Sequence, residues 1–360
     1  MRVVVATIVH DPEDARIFHR QIGALLAAGH QVVYLAPAGA GHNLAQPGLR
    51  IREIGRAHGR HRIAALRSAR RALIEESPDA DLTIVHDPEL TVLARSICGP
   101  KVWDVHEDLV AQVSDKHWIP TALRGPARLL GRRLERRARG RFETMLAEPS
   151  YRERHGDRPV VRNTPEIPSD VVPPGDDRIV YVGRVSHGRG IDTMLAATRL
   201  IYGVRLDLYG PVDREVEPLI RHAPASVTSH GFVTNPEALR RIEGAMAGLA
   251  ILADQPNYRH SMPTKIFEYM ARGVPVITTP NPVARRIVED AGAGIVVPFD
   301  DPSAVAEAID RLADVEFRWR CAANGRRVAQ EAYNWSTDSR VMLDFLESVV
   351  HDATSSSCHG

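Results

Sequence analysis

Apolar positions in this chain fall in short, β-branched runs separated by longer stretches with helical spacing. In the first half the runs lie at 3–8, 31–35, 51–54, 82–86, 101–105 and 144–147. Between them the spacing predicts helices, among them 13–28, closed by Gly29, and 62–76, closed before Pro78. A segment rich in proline and acid, NTPEIPSDVVPPGDD at 163–177, then interrupts and reads as an interdomain linker. Beyond it the pattern restarts. Strands are expected at 179–182, 205–209, 227–229, 248–252, 274–278 and 294–297, with a last helix near 337–351. The tail 352–360, DATSSSCHG, reads as disordered. Two α/β halves of similar size, each a doubly wound parallel sheet, predict two facing Rossmann-like domains with a cleft between them. Ligands of such sheets bind beyond the carboxyl ends of the strands.

Composition narrows the class. The chain has 360 residues, 44% hydrophobic and 25% charged, which is ordinary for a folded soluble protein and leaves room for two domains. A net charge of +1 gives no whole-chain field to attract nucleic acid. Cys98, Cys321 and Cys358 lie far apart without metal-type spacing, so a reduced cytosolic setting is expected. No apolar run approaches the ~20 residues of a membrane span. The opening MRVVVATIVH leads directly into a strand-like run and does not read as a signal peptide. Lysine occurs only at Lys101, Lys116 and Lys265; the other positive charge is arginine, read as genome bias. Eight arginines crowd 124–141, with Leu129, Leu130, Leu134, Ala138 and Phe142 as a partial apolar stripe. That segment is either a solvated helix, the favoured reading, or a basic amphipathic helix held at an anionic membrane face. Expected localisation is accordingly cytoplasmic, with peripheral attachment at the inner membrane face as the alternative.

The chemistry concentrates in SMPTKIFEYMARGVPVIT, 261–278, which reads as a turn, a helix over 264–272 ended by Gly273, and a buried strand. Free N–H groups at that helix start can hold a phosphate. Lys265 sits in the first turn, where a cation opposes the helix dipole, so an anionic ligand explains it better than stability does. Glu268 follows one turn later; an i,i+3 pair with Lys265 is the plain alternative. Arg184 and Arg189, interleaved with Gly183, Gly188 and Gly190 after a predicted strand, form a second phosphate-type loop. The strings His10-Asp11 and His86-Asp87 lack a full metal-ligand set, and Asp11 and Asp87 are expected to cap the helices that follow them.

The 261–278 stretch resembles the donor-binding signature of retaining, nucleotide-sugar-dependent glycosyltransferases of family 4, the glycosyl transferases of group 1. Further pieces match in order: HDPEDARIFHRQIGALLAAGHQV (10–32), VHDPEL (85–90), VWDVHEDL (102–109), YVGRVSHGRGID (181–192), GIVVPFDDPSAVAEAI (294–309) and YNW (333–335). Together they span about residues 5–345. The resemblance implies the GT-B fold. Residues 1–165 with 336–360 would form an N-terminal, acceptor-side Rossmann-like domain, and 166–335 a C-terminal domain binding the nucleotide sugar.

Residue by residue, the resemblance gives Arg184, Arg189 and Lys265 the donor diphosphate, and places His106 near the sugar's 6-hydroxyl and the reacting carbon. It gives Glu268 the ribose hydroxyls as second glutamate of the family's E-x7-E motif. His260 stands where the first glutamate is usual. Gly183, Phe232, Val233, His260, Ser261, Pro263 and Thr264 complete the donor-binding set, with Phe232 and Val233 beside the base. His10, Asp14 and His86 fall on the acceptor side. The implied reaction is metal-independent hexose transfer from a nucleoside diphosphate sugar to a hydroxyl of a glycan, a lipid-linked precursor or a small natural product. No metal or other cofactor is expected. A nucleotide-sugar 2-epimerase and a non-catalytic, sugar-nucleotide-binding partner of another transferase are the alternatives. A pyridoxal phosphate lysine at Lys265 is a remoter one.

Overall fold

The computed structural model describes residues 1–39, 44, 46–106, 121–255, 258 and 262–357. The chain divides into two compact units, Met1–Asn163 with Ser336–Gly360, and Thr164–Trp335. Among the described residues no helix is long and apolar enough to cross a membrane.

The first unit is built on six parallel strands: β1 (Arg2–Ala6), β2 (Gln31–Pro37), β3 (Leu49–Ile54), β4 (Leu82–Val85), β5 (Lys101–Val105) and β6 (Glu143–Leu146). They lie in the order β3-β2-β1-β4-β5-β6. The second unit repeats the plan with β7 (Arg178–Val182), β8 (Arg205–Tyr209), β9 (Val227–Ser229), β10 (Ala247–Ala250), β11 (Val276–Thr278) and β12 (Gly294–Val296), ordered β12-β11-β10-β7-β8-β9. Two such units are the α/β architecture of the GT-B fold. In each, the first and fourth strands of the unit are neighbours whose connections leave in opposite directions. That is the switch point where open α/β sheets bind ligands.

Burial explains why these runs became strands. Val3 to Ala6, Ile179 to Tyr181 and Leu206 to Tyr209 are buried without a break. Alternate residues feed opposite faces: Ile179 and Tyr181 join one core cluster, Val180 the other. Both faces are covered, as parallel sheets require. Most of the expected elements are present, and the departures have local causes. The helix expected at 13–28 begins at Ala15 and runs to Ile22 with π spacing before an α segment, Gly23–Ala27. Its cap is Asp14, whose carboxylate accepts from the N–H groups of Arg16 and Ile17. Asp11 instead accepts from the Glu13 N–H, 3.0 Å away. Asp87 caps nothing: its carboxylate accepts from the Ile8 N–H at 2.5 Å and the Thr7 hydroxyl at 3.2 Å, tying the end of β4 to the end of β1. The tail expected to be disordered continues the last helix, Trp335–Ser357; only 358–360 lie outside the described residues. The arginine-rich segment is helical over Thr121–Arg139.

Candidate active site

In the second unit the site forms at the carboxyl ends of β7 and β10. Helix Thr264–Ala271 is buried on every side from Lys265 onward. Gly273, at φ +63°, ends it in the left-handed conformation. Tyr269 fixes the helix to the sheet. Its hydroxyl accepts from the Val182 N–H at 3.0 Å and donates to the Leu249 carbonyl at 3.2 Å, bridging β7 and β10. The ring occupies the space a side chain at Gly248 would need, where a Cβ would stand 2.5 Å from ring carbons. Sequence reasoning missed Tyr269; the glycine inside a predicted strand was its only signal.

Lys265 is the anomaly this frame creates. It is 7% exposed, and its Nζ has no hydrogen-bond partner among the described residues. The ammonium stands 3.8 Å above the centre of the Tyr181 ring. Burial, and then the charge of Arg189, hold Lys265 well below the usual lysine range, with Glu268 opposing the shift. The plain reading of an ion pair with Glu268 therefore fails: Nζ lies on the aromatic ring. A buried ammonium with no hydrogen bond is destabilising until a partner arrives. Tyr181 itself donates through its hydroxyl to the Arg184 carbonyl at 2.8 Å, and burial pushes its phenol up to about 12.

The loop after β7 wraps the same point. Gly183, at φ +124°, passes so close that a Cβ there would lie 3.4 Å from the lysine Nζ. Gly190, at φ +78°, has no room for a side chain: its Cβ would meet the Ile251 carbonyl oxygen at 2.0 Å. These contacts press the loop against the chain leaving β10. Arg189 has no carboxylate partner among the described residues, whereas Arg184 is 65% exposed and pairs with Asp213 at 2.5 Å. Arg184's charge is thus already met, and Lys265 and Arg189 are the cations left over. Pro263 precedes the helix as its cap residue without a side-chain cap bond, and Thr264 is its first residue.

Glu268 is buried, and its Oε1 accepts from the Asn235 amide at 3.4 Å. Asn235, which opens helix Asn235–Ile242, escaped sequence reasoning. Phe232 is 65% exposed, and Val233 packs against the core below. His260 and Ser261 lie outside the described residues.

In the first unit, the carboxyl ends of β1, β4 and β5 bring His10, His86 and His106 together. The two Nε2 atoms of His10 and His106 are 2.9 Å apart. His106 Nδ1 lies 3.1 Å from the Asp104 carbonyl, which can only accept. Nδ1 of His106 therefore carries a proton, and when the ring is neutral its Nε2 is the acceptor and His10 Nε2–H the donor. Asp14 and Asp87 flank His10 at 3.8 and 3.5 Å. His86 has no exposed side-chain surface, and its Nδ1 is 3.1 Å from Asp104 Oδ2. Expected on the acceptor side, His86 can act on a ligand only through its neighbours. Burial lowers it to about 4, so it is neutral near pH 7.

His86, Asp104 and His106 offer ligand atoms within 4.8 Å of one another, the spacing of a metal trio. The donor set does not suit a cation. Asp104 takes a fork from buried Arg16, at 2.8 and 2.6 Å, and a third bond from Gln21 at 2.9 Å. Burial alone would raise Asp104, but the guanidinium overrides it and holds the carboxyl well below its usual range. A dication there would compete with Arg16 for the one carboxylate.

Residues 176–314, most of the second unit, match the family described as Glycosyl transferases group 1. D-inositol 3-phosphate glycosyltransferase of Xylanimonas cellulosilytica is 29% identical over 200 residues, 50% of this chain and 47% of that protein. The chain aligns with about half the length of the curated relatives it matches. Two solved structures share the whole fold. Sucrose-phosphate synthase from Thermosynechococcus elongatus is 19% identical with a TM-score of 0.76, covering 98% of this chain and 99% of that one. Anabaena HepE in complex with UDP-glucose is 15% identical with a TM-score of 0.74, covering 97% of this chain and all of that one.

Proposed function

We propose that this chain, whose residues 176–314 match the group 1 glycosyl transferases, is a retaining hexosyltransferase using a nucleoside diphosphate sugar. The observation that carries the reading is the buried Lys265 ammonium without a hydrogen bond, beside an Arg189 without a carboxylate. A diphosphate seated at the start of helix Thr264–Ala271 would supply both cations with a counter-ion and would meet the helix's free N–H groups. HepE, with the same fold, has been crystallised with UDP-glucose and with UDP.

In this reading the bond from the anomeric carbon to the diphosphate breaks, and the leaving oxygen gains charge. Lys265 and Arg189 stabilise that charge most as it forms, with Arg184 nearby at the loop surface. The acceptor oxygen bonds the anomeric carbon on the same face, and its proton passes to the departing phosphate oxygen. No metal is needed, because fixed cations and a helix terminus take its role. Glu268, oriented by Asn235, accepts from the ribose hydroxyls, and exposed Phe232 stacks on the base. The resemblance assigns the sugar and acceptor to His106, with His10 and Asp14. The acceptor is a hydroxyl compound of glycan, lipid-linked or small-molecule type.

The test is to incubate the chain with UDP-glucose and a pool of candidate acceptors, and to read the anomeric configuration of any product by NMR. An α-linked product with UDP released supports the reading. An inverted product, or a changed sugar on an intact nucleotide, refutes it.

A further inference from the structure

A cavity of about 650 Å³ opens at the opposite end of the first unit's sheet, where β5 and β6 begin. Lys101, Arg139, Arg141 and Arg158 line it against two carboxylates, Glu143 and Asp352. Arg158 pairs with Glu143 at 2.7 Å, and Arg139 donates to the Arg154 carbonyl. Lys101 donates only to the Ile97 carbonyl, at 3.1 Å, and Arg141 has no carboxylate partner among the described residues. Phe142, Phe345 and Val349 give the wall an apolar side.

The surroundings add like charge. Arg141 is pushed down by burial and then by Arg137 and Arg95, so two further guanidiniums act on it. Helix Thr121–Arg139, which delivers Arg139 to the cavity, exposes Arg132, Arg133, Arg136 and Arg137. Its one acid, Glu135, is buried and faces Arg154 at 3.9 Å. Leu129 and Leu134 are exposed on the same helix. Repulsion of this kind is unfavourable in the free protein and is relieved by an anion. A phosphate suits the geometry: the Lys101 ammonium and the Arg141 fork are free to donate, and the apolar wall accommodates carbon beside it.

We infer that this cavity is a phosphate-binding site, separate from the donor site and independent of the reading given above. The phosphate is either that of a lipid headgroup, with the arginine helix lying along the membrane surface, or that of a soluble phosphate ester.

The test uses the full chain and the double variant Lys101→Gln/Arg141→Gln. Calorimetry measures inorganic phosphate, and sedimentation measures vesicles of neutral lipid with and without phosphatidylglycerol. Wild type should bind phosphate saturably, and the double variant at least tenfold more weakly, about 1.4 kcal/mol. Thermal stability and UDP affinity should not change. Salt-sensitive binding to the anionic vesicles with the same loss assigns the site to a headgroup; phosphate binding with that loss but no vesicle binding assigns it to a soluble ester. Arg132→Gln/Arg136→Gln serves as control on the same helix. No binding of either probe, equal binding by the double variant, or vesicle binding lost only in the control variant overturns the inference.

Discussion

Lys265 gives a prediction in which stability and binding move in opposite directions. In Lys265→Met the apolar stem is largely kept and the ammonium is lost. The free protein buries that charge without a hydrogen bond, so its removal should stabilise. Leaving a buried polar group unmatched costs ~1–3 kcal/mol in proteins, and the gain should be of that order. For a domain of ~150–250 residues each kcal/mol is ~2–4 °C in Tm, so the free variant should melt at least ~2 °C higher. The pH dependence has a definite sign. The lysine is held below its ordinary range in the fold, so the unfolded chain binds more protons as pH rises past the folded value. Wild-type stability should therefore climb on the alkaline side, and the variant should lack that climb. UDP reverses the comparison. At 100 times Kd a ligand adds ~2.7 kcal/mol to wild type, and losing a charge-stabilising contact should remove most of it. Turnover should fall ~10²-fold or more. Differential scanning fluorimetry with and without UDP, from pH 6 to 10, checks all of this. A free variant that melts lower, with an undiminished UDP shift, would make Lys265 a structural residue and refute the reasoning.

Three further outcomes are expected. Glu268→Gln should weaken UDP by ~1.5–3 kcal/mol and blunt the preference for ribose over 2′-deoxyribose, measured by calorimetry with both nucleotides; unchanged affinity and preference would return Glu268 to structure. Asp104→Asn leaves Arg16 buried without its carboxylate and should cost ~3–5 kcal/mol in a denaturant melt. Because Asp104 is held low in the fold, its contribution in wild type is present above pH ~4 and is lost as pH falls toward the folded value, which an acid titration of stability against the variant would show. EDTA should leave transferase activity unchanged; a loss restored by Mg²⁺ or Mn²⁺ would contradict the metal-free reading.

Much of the fold was legible because its strands are local: 3–8, 179–182 and 205–209 announce themselves by β-branched apolar runs whatever they pair with. Lys265 was legible for a similar reason, as a cation in a helix's first turn needs no tertiary knowledge to look misplaced. What escaped depends on contacts far apart in the chain. Asp104 resembles any strand residue until Arg16, 88 positions earlier, closes on it. Arg184 looked free, and Asp213, 29 positions on, neutralises it. Asp87 had the composition of a helix cap but found Ile8 and Thr7 across the switch point. The π spacing at 15–22 is a one-residue slip of the hydrogen-bond ladder, which leaves no mark on an amphipathic pattern.

The Tyr269 bridge has a consequence for anyone redesigning this protein. The helix bearing Lys265 and Glu268 is bolted through one phenol to two strands, and the ring lies where any side chain at 248 would stand. Those eight residues are a datum, the fixed surface from which other distances are set. On the proposed reading, variation meant to retune the sugar or the base therefore belongs around Phe232, in the loop after β7, and in the stretch between β10 and the helix. A library that randomises the helix itself would mostly sample loss of the sheet's alignment. A phenylalanine at 269 would fill the same space but drop both bonds, leaving the Val182 N–H without its partner.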